Sequence, residues 1–370
     1  MPLTRNTAQR LHACLAALLV LAASPIVLAD NALDSQRELF KRVYADVELG
    51  NWGSVEALAA SERESLEKYV LYPDLRAAWF RANLSKVDHG QVEDFLDHYG
   101  VLKPARELRY RYALHLAKIG HLNGYLNIYQ QFYQGLDVAE LDCLALQAEL
   151  EAGRTTRVVN RAIDLWTVGE SQVGECDPVF HFLSNQNHLG QIQYMRRFEL
   201  AIDAREFSIA RWLGKSIDQQ HIDTASQWIA AQRNPESFVR NDKKWPNDAA
   251  TREQLVYAIE RITYDDPALA LTLWTGISKG KRFSAEQELR TSRHIALWTA
   301  RDNLPDAYEL LTRLPMAAQN DEVMRWRARS SLRKHNWTNL LADIDAMSIA
   351  ELNGEEWRYW RGIALQRNNH

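Results

Sequence analysis

The chain has 370 residues and carries 44 Lys and Arg against 48 Asp and Glu, a net charge of −4. That balance, without any prominent basic run, excludes the electrostatic footprint of a nucleic-acid binder. Hydrophobic residues at 46% and charged residues at 25% are ordinary for a folded chain with its own core, whereas 12 tryptophans are more than ordinary.

The first segment reads as an export signal. Arg5 and Arg10 form a basic region, Leu11 to Ala23 is apolar apart from His12, and Val27-Leu28-Ala29 offers a cleavage site ending in a small residue. The apolar run is short for a membrane span, and no stop-transfer pattern follows it. Residues 1–29 are therefore expected to leave as a signal peptide, taking Cys14 with them. The mature chain, residues 30–370, is more acidic by the loss of two arginines, has no membrane span, and resides in an oxidising compartment.

The mature chain opens on an expected capping box, Ser35-Gln36-Arg37-Glu38, followed by Leu39, Phe40, Val43, Tyr44 and Val47 at helical spacing, with Gly50 as the stop. Further runs follow. Val55 and Leu58 form one, Leu75, Ala78, Trp79 and Ala82 follow Pro73, and Phe95 with Leu96 mark another. Leu108 to Ile119 and Leu122 to Phe132 complete the series. Alternating strands joined by tight glycine turns are nearly absent, so the chain reads as all-α.

Cys143 and Cys176 are the only cysteines beyond the leader. The helix around the first carries Leu141, Leu144, Ala145, Ala148 and Ala152 on one face and stops at Gly153. The next carries Val159, Ala162, Ile163 and Trp166, with Gly169 as its expected end. Two cysteines at this spacing in an exported chain are expected to form a disulfide, making a stapled helical hairpin.

Beyond the hairpin, helices are expected at Tyr194 to Ile202, Phe207 to Leu213 and Thr224 to Ala231, then after a capping box at Thr251-Arg252-Glu253-Gln254. From there units repeat. Asp266 to Leu271 resembles Leu304 to Leu311, and Asn336-Trp337 starts another copy. The partner helices place Leu297, Leu332 and Leu365 at equivalent positions. A drifting period of that kind predicts stacked helical hairpins, like tetratricopeptide repeats but without their consensus Gly and Tyr. The expected fold is an irregular α-superhelix.

Sequence motifs identify no catalytic, cofactor-binding or metal-binding residue. Gly276-Ile277-Ser278-Lys279-Gly280 matches the GxSxG string but follows a helical run rather than a strand, so it is expected to be an inter-helix loop. His115 and His121 flank one helix end and His181 and His188 another. Their spacing makes a poor ligand set, even with Cys176 near His181. Trp326-Arg327-Ala328-Arg329 and Trp357-Arg358-Tyr359-Trp360-Arg361 set aromatics beside arginines on consecutive repeats. Such rows could stack sugar rings, but a solenoid core needs large side chains at equivalent positions, which favours packing.

Several stretches resemble the N-terminal superhelical, U-shaped region of soluble lytic murein transglycosylases. They are the cysteine hairpin with Asp164 to Ser171 and Cys176-Asp177-Pro178-Val179-Phe180, the runs before Asn234-Pro235, and Trp326 to Leu365. The resemblance implies a periplasmic α-superhelix within a ring-shaped enzyme. In that family a lysozyme-like C-terminal domain cleaves the MurNAc–GlcNAc bond and leaves 1,6-anhydro-MurNAc ends. Its signature is a Glu-Ser pair followed by a Gly-Leu-Met-Gln-like segment. Glu64-Ser65, Glu170-Ser171 and Glu236-Ser237 lack that segment, so no catalytic residue carries over. No cofactor is implied. The chain stops at His370 just after a helix, so a truncation before a linker and the catalytic domain is expected. The expected partners are glycan strands and that domain. The alternative is an exported helical scaffold that binds proteins and has no enzymatic activity.

Overall fold

The computed structural model describes residues 32–281 and 283–369. The expected signal peptide lies outside the described residues. Every regular element among the described residues is a helix, and helices close in sequence pack against one another, the all-α solenoid predicted. Two compact units divide the chain: Met1–Ala162 with Gln172–Gln186, and Ile163–Ser171 with Asn187–His370.

The first unit begins with a helix over residues 32–48. Its Val43 and Val47 pack with Leu66 of the Ala60–Glu67 helix and Leu75 of the Tyr72–Asn83 helix. Phe80 carries that layer into the next, formed by His89–Tyr99, Lys103–Lys118, Leu122–Phe132 and Ala139–Glu151. Leu108, Tyr112, Leu116, Tyr125 and Leu141 are fully buried there, each worth about 1.5–3 kcal/mol of apolar transfer. The two tyrosines are tolerated because their hydroxyls donate, Tyr112 to Glu93 at 3.0 Å and Tyr125 to the Leu141 carbonyl at 2.5 Å.

The second unit builds its main core from Gln219–Arg233, Ala249–Asp265 and Pro267–Ser278. Phe207 stacks on Trp228 at 5.0 Å, and Tyr257 meets both rings edge-on. Ala285–Arg301, Ala307–Arg313, Asp321–Arg333, Trp337–Asp345 and Glu355–Arg367 continue the stack with smaller cores around Leu311, Leu340 and Trp357.

One termination device recurs along both units. Two residues beyond the helix end the chain turns left-handed, and the next amide donates back across the last turn. Gly50, Gly120 and Gly153 do this with φ of 88°, 76° and 74°. Arg205, Asn303 and His335 do it with φ of 62°, 60° and 50°. The returning bonds include Asn51 N to Asp46 O at 2.9 Å, Glu206 N to Ala201 O at 2.8 Å and Asn336 N to Ser331 O at 2.9 Å. This is the Schellman closure, which satisfies carbonyls that a helix end would otherwise orphan.

Several boundaries differ from expectation. Ser35 lies inside the first helix, which already runs at residue 32 and carries an Asp34–Arg37 pair one turn apart. The cap before Thr251 is Asp248, whose carboxylate accepts from the Thr251 amide at 2.7 Å, and Thr251 itself is buried. Asp caps as well as Thr, so the earlier acceptor wins. The Thr155–Trp166 helix buries Val158 rather than Val159 and ends before Gly169. Gly169 is required for a different reason: a Cβ there would sit 2.4 Å from the Leu200 carbonyl oxygen. The Gly276–Ser278 part of the GxSxG string is the last turn of the Pro267–Ser278 helix, not a loop.

Candidate functional site

Cys143 and Cys176 are bonded, with Cα atoms 4.9 Å apart and both side chains fully buried. Cys143 lies on Ala139–Glu151, and Cys176 ends the short 3-10 turn Gly174–Cys176 that leads into Asp177–Asn185. The staple therefore ties the first helix of the hairpin to the turn beyond the second. Gln147 supports it by donating to the Glu175 carbonyl at 2.5 Å. On the same helix Asp142 is buried at 1% exposure and takes hydrogen bonds from Tyr129 at 2.5 Å and Arg161 at 2.7 Å. These contacts hold the fold rather than a ligand.

The aromatic–arginine rows form a seam along the second unit. Trp298 and Arg301 are three residues apart on Ala285–Arg301, Trp326 and Arg329 three apart on Asp321–Arg333, so each pair shares a face. The Arg301 guanidinium lies 5.0 Å from the Trp298 ring and 6.0 Å from Trp326. Arg329 lies 5.2 Å from Trp326 and 5.5 Å from Trp357. Each cation thus bridges the aromatics of successive repeats, worth about 0.5–2 kcal/mol per contact. Glutamates hold the cations in place: Glu322 binds Arg293 at 2.6 Å and Arg301 at 3.0 Å, and Glu356 binds Arg329 at 3.2 Å. Toward Glu355–Arg367 the seam is closed. Trp357 is 3% exposed, as the packing reading expects, while Trp360 is only partly buried.

The seam opens at its other end into a groove lined by Tyr264, Arg290, Arg293, His294, Trp298 and Arg301. Tyr264 is 45% exposed and is held edge-on by Trp298 at 4.8 Å and His294 at 5.3 Å. Burial holds the His294 imidazole below its ordinary pKa, opposed by Glu260. Charge in the groove is polarised. Arg293 and Arg301 share the single carboxylate of Glu322, whereas Arg290 is answered by both Glu253 and Glu260. Cations and ring faces dominate the lining, so the chemistry on offer is binding. Sequence reading missed Tyr264, Arg293 and His294; the available signal was the Trp-x-x-Arg spacing repeated at Trp298 and Trp326.

Other sequence candidates are dispersed. Glu64-Ser65 lies on Ala60–Glu67 and Glu236-Ser237 on Pro235–Arg240, while Glu170-Ser171 lies outside any regular element. His89 brings its ring within 6.1 Å of His115 and 5.7 Å of His121. Burial, with His89 and Lys118 nearby, holds His115 below its ordinary pKa. Among the described residues no group of three His, Cys, Asp or Glu could hold a metal ion, and no helix is long and apolar enough to cross a membrane.

These features define an all-α solenoid of helical hairpins with an aromatic–arginine seam and a disulfide-stapled hairpin. No family-wide sequence profile matches the chain. Individual relatives do match, and the chain is similar to soluble lytic murein transglycosylases along nearly all of its length. It is 22% identical over 352 residues to the soluble lytic murein transglycosylase of Escherichia coli K12, covering 95% of this chain and 53% of that protein. The counterpart from Salmonella typhimurium is 23% identical over 302 residues, covering 81% and 46%. Among solved structures, an inactive variant of the lytic transglycosylase Slt from Pseudomonas aeruginosa superposes with a TM-score of 0.62 at 26% identity, covering 89% of this chain and 52% of that one. The 70-kDa soluble lytic transglycosylase of Escherichia coli superposes with a TM-score of 0.69 at 20% identity, covering 91% and 54%. The chain spans about half the length of the curated relatives it matches.

Proposed function

We propose that residues 30–370 are the non-catalytic, N-terminal superhelical part of a periplasmic peptidoglycan lytic transglycosylase, shaping how glycan strands reach the chemistry. The observation that carries this reading is the concordance of sequence likeness over 95% of the chain with fold likeness over 91% of it. Helical repeats converge on similar patterns, but the same partners emerging from sequence and from fold make convergence a poor account. Cleavage of the MurNAc–GlcNAc bond, giving 1,6-anhydro-MurNAc ends, is assigned to a lysozyme-like catalytic domain, and none of the Glu-Ser pairs here takes part. Glycan strands and that domain are the partners.

Co-sedimentation with purified peptidoglycan sacculi tests the reading. The purified chain should pellet with sacculi, release no anhydro-muropeptides on its own, and remain in the supernatant with sacculi digested by a muramidase. A chain that stays in solution with intact sacculi contradicts the proposal and leaves the protein-binding scaffold as the better account.

A further inference from the structure

We propose that the groove bounded by Tyr264, Trp298 and Glu322 is a subsite for an acidic saccharide, a pyranose ring carrying a carboxylate. The inference rests on the glycan-binding reading and names the residues that would meet muramyl units whose lactyl carboxylate carries no stem peptide. Its first support is the contrast along one seam. At the closed end Trp357 is 3% exposed and Arg329 is sandwiched between Trp326 and Trp357. At the open end the Tyr264 ring is 45% exposed and stands nearly perpendicular to the His294 and Trp298 rings, at 86° and 84°. An upright ring beside a groove is a stacking platform for the C–H face of a sugar.

Charge supplies the second support. Arg293 and Arg301, with side chains 32% and 38% exposed, converge on one carboxylate, so that end of the groove carries an excess of one cation. At the other end Glu253 and Glu260 outnumber Arg290, and Glu286 adds a further carboxylate to the lining. A ligand carboxylate is drawn to Arg293 and Arg301 and repelled from the Glu286 end, while hydroxyl and acetamido donors suit the acidic end. The polarity therefore selects both the presence of a carboxylate and its direction.

The test compares two probes sharing one ring: N-acetylmuramic acid, and N-acetylglucosamine, which lacks the lactyl carboxylate. Tryptophan indole N–H signals of the intact chain are followed by NMR, with the Trp298 signal assigned by its loss in Trp298→Phe. The Trp298 signal should shift with N-acetylmuramic acid at a dissociation constant on the order of 1 mM, and about tenfold more weakly with N-acetylglucosamine. Arg301→Ala should weaken acidic-sugar binding about tenfold. Glu322→Gln, which frees both arginines from their acid, should strengthen it. That opposite sign cannot come from damage to the fold. Equal response to both sugars, or a Glu322→Gln variant that binds no better, overturns the assignment. No Trp298 shift in a chain that still pellets with sacculi refutes the subsite and leaves the glycan reading standing. A shift without pelleting does the reverse.

Discussion

Replacing Cys143 and Cys176 together by alanine removes a bond between positions separated by 33 residues. In the chain-entropy account the cross-link lowers the entropy of the denatured ensemble by about 12.5 cal/mol/K for a loop of that length, or about 3.7 kcal/mol at 25 °C. Residual denatured-state structure reduces the figure, and two emptied sites in a fully buried position add to it, so a loss of about 3–4 kcal/mol is expected. Both cysteines belong to the Met1–Ala162 and Gln172–Gln186 unit. The loss should therefore appear in that unit's transition during urea unfolding followed by circular dichroism, with the other unit as an internal reference. The denaturant slope of the affected transition should also rise, because an uncross-linked denatured chain exposes more surface. A loss below about 1 kcal/mol with an unchanged slope would refute the reasoning, since it would mean that the denatured chain already holds these helices together.

The remaining predictions concern charges and turns. Asp343 is fully buried, ion-paired with Arg327 at 2.5 Å, and accepts a hydrogen bond from Ser331 at 3.2 Å; burial raises its carboxyl above the ordinary value against the pull of Arg327. Asp343→Ala should cost about 3–5 kcal/mol in thermal or urea unfolding because it strands the Arg327 charge; a loss under 1 kcal/mol would show that water already reaches the pair. His335→Gly should stabilise by about 1 kcal/mol by relieving a left-handed φ of 50°, and Gly153→Ala, at φ 74° with open space around the new methyl, should cost a similar amount. Thermal melts of both variants check the pair, and two changes of the same sign would contradict it. His115 and His294 both have folded pKa values below the ordinary 6.5, so the folded chain binds fewer protons than the unfolded one. Their contribution is intact above about pH 6.5 and is lost as pH falls through the folded values. Melting temperatures should drop between about pH 7 and pH 5, and His294→Gln should flatten that drop.

The helices and their order were legible in the sequence. Their apolar spacing is local, and a helix closes its backbone hydrogen bonds within a few residues of itself. Leu122–Phe132 appears with its expected ends, and Gly50 and Gly153 announce their turns by composition. Cys143 and Cys176 could be paired because they are the only cysteines after Cys14. Arg205 and His335 were not legible as turn residues, because the left-handed φ there closes the preceding helix on a side chain that, unlike glycine, does not announce it. The same limit applies to the groove. Trp326, Arg329 and Trp357 could be picked out as a row, but whether a tryptophan is covered or open depends on the neighbouring repeat. Trp357 lies under Arg329, whereas Tyr264 at the far end stays 45% exposed, and no local pattern separates them. By itself the sequence determined an all-α chain of stacked hairpins with one staple. Only the tertiary structure decided where the seam opens and which glutamate is shared by two arginines, because burial and charge balance are set by residues about thirty positions apart, such as Arg293 and Glu322.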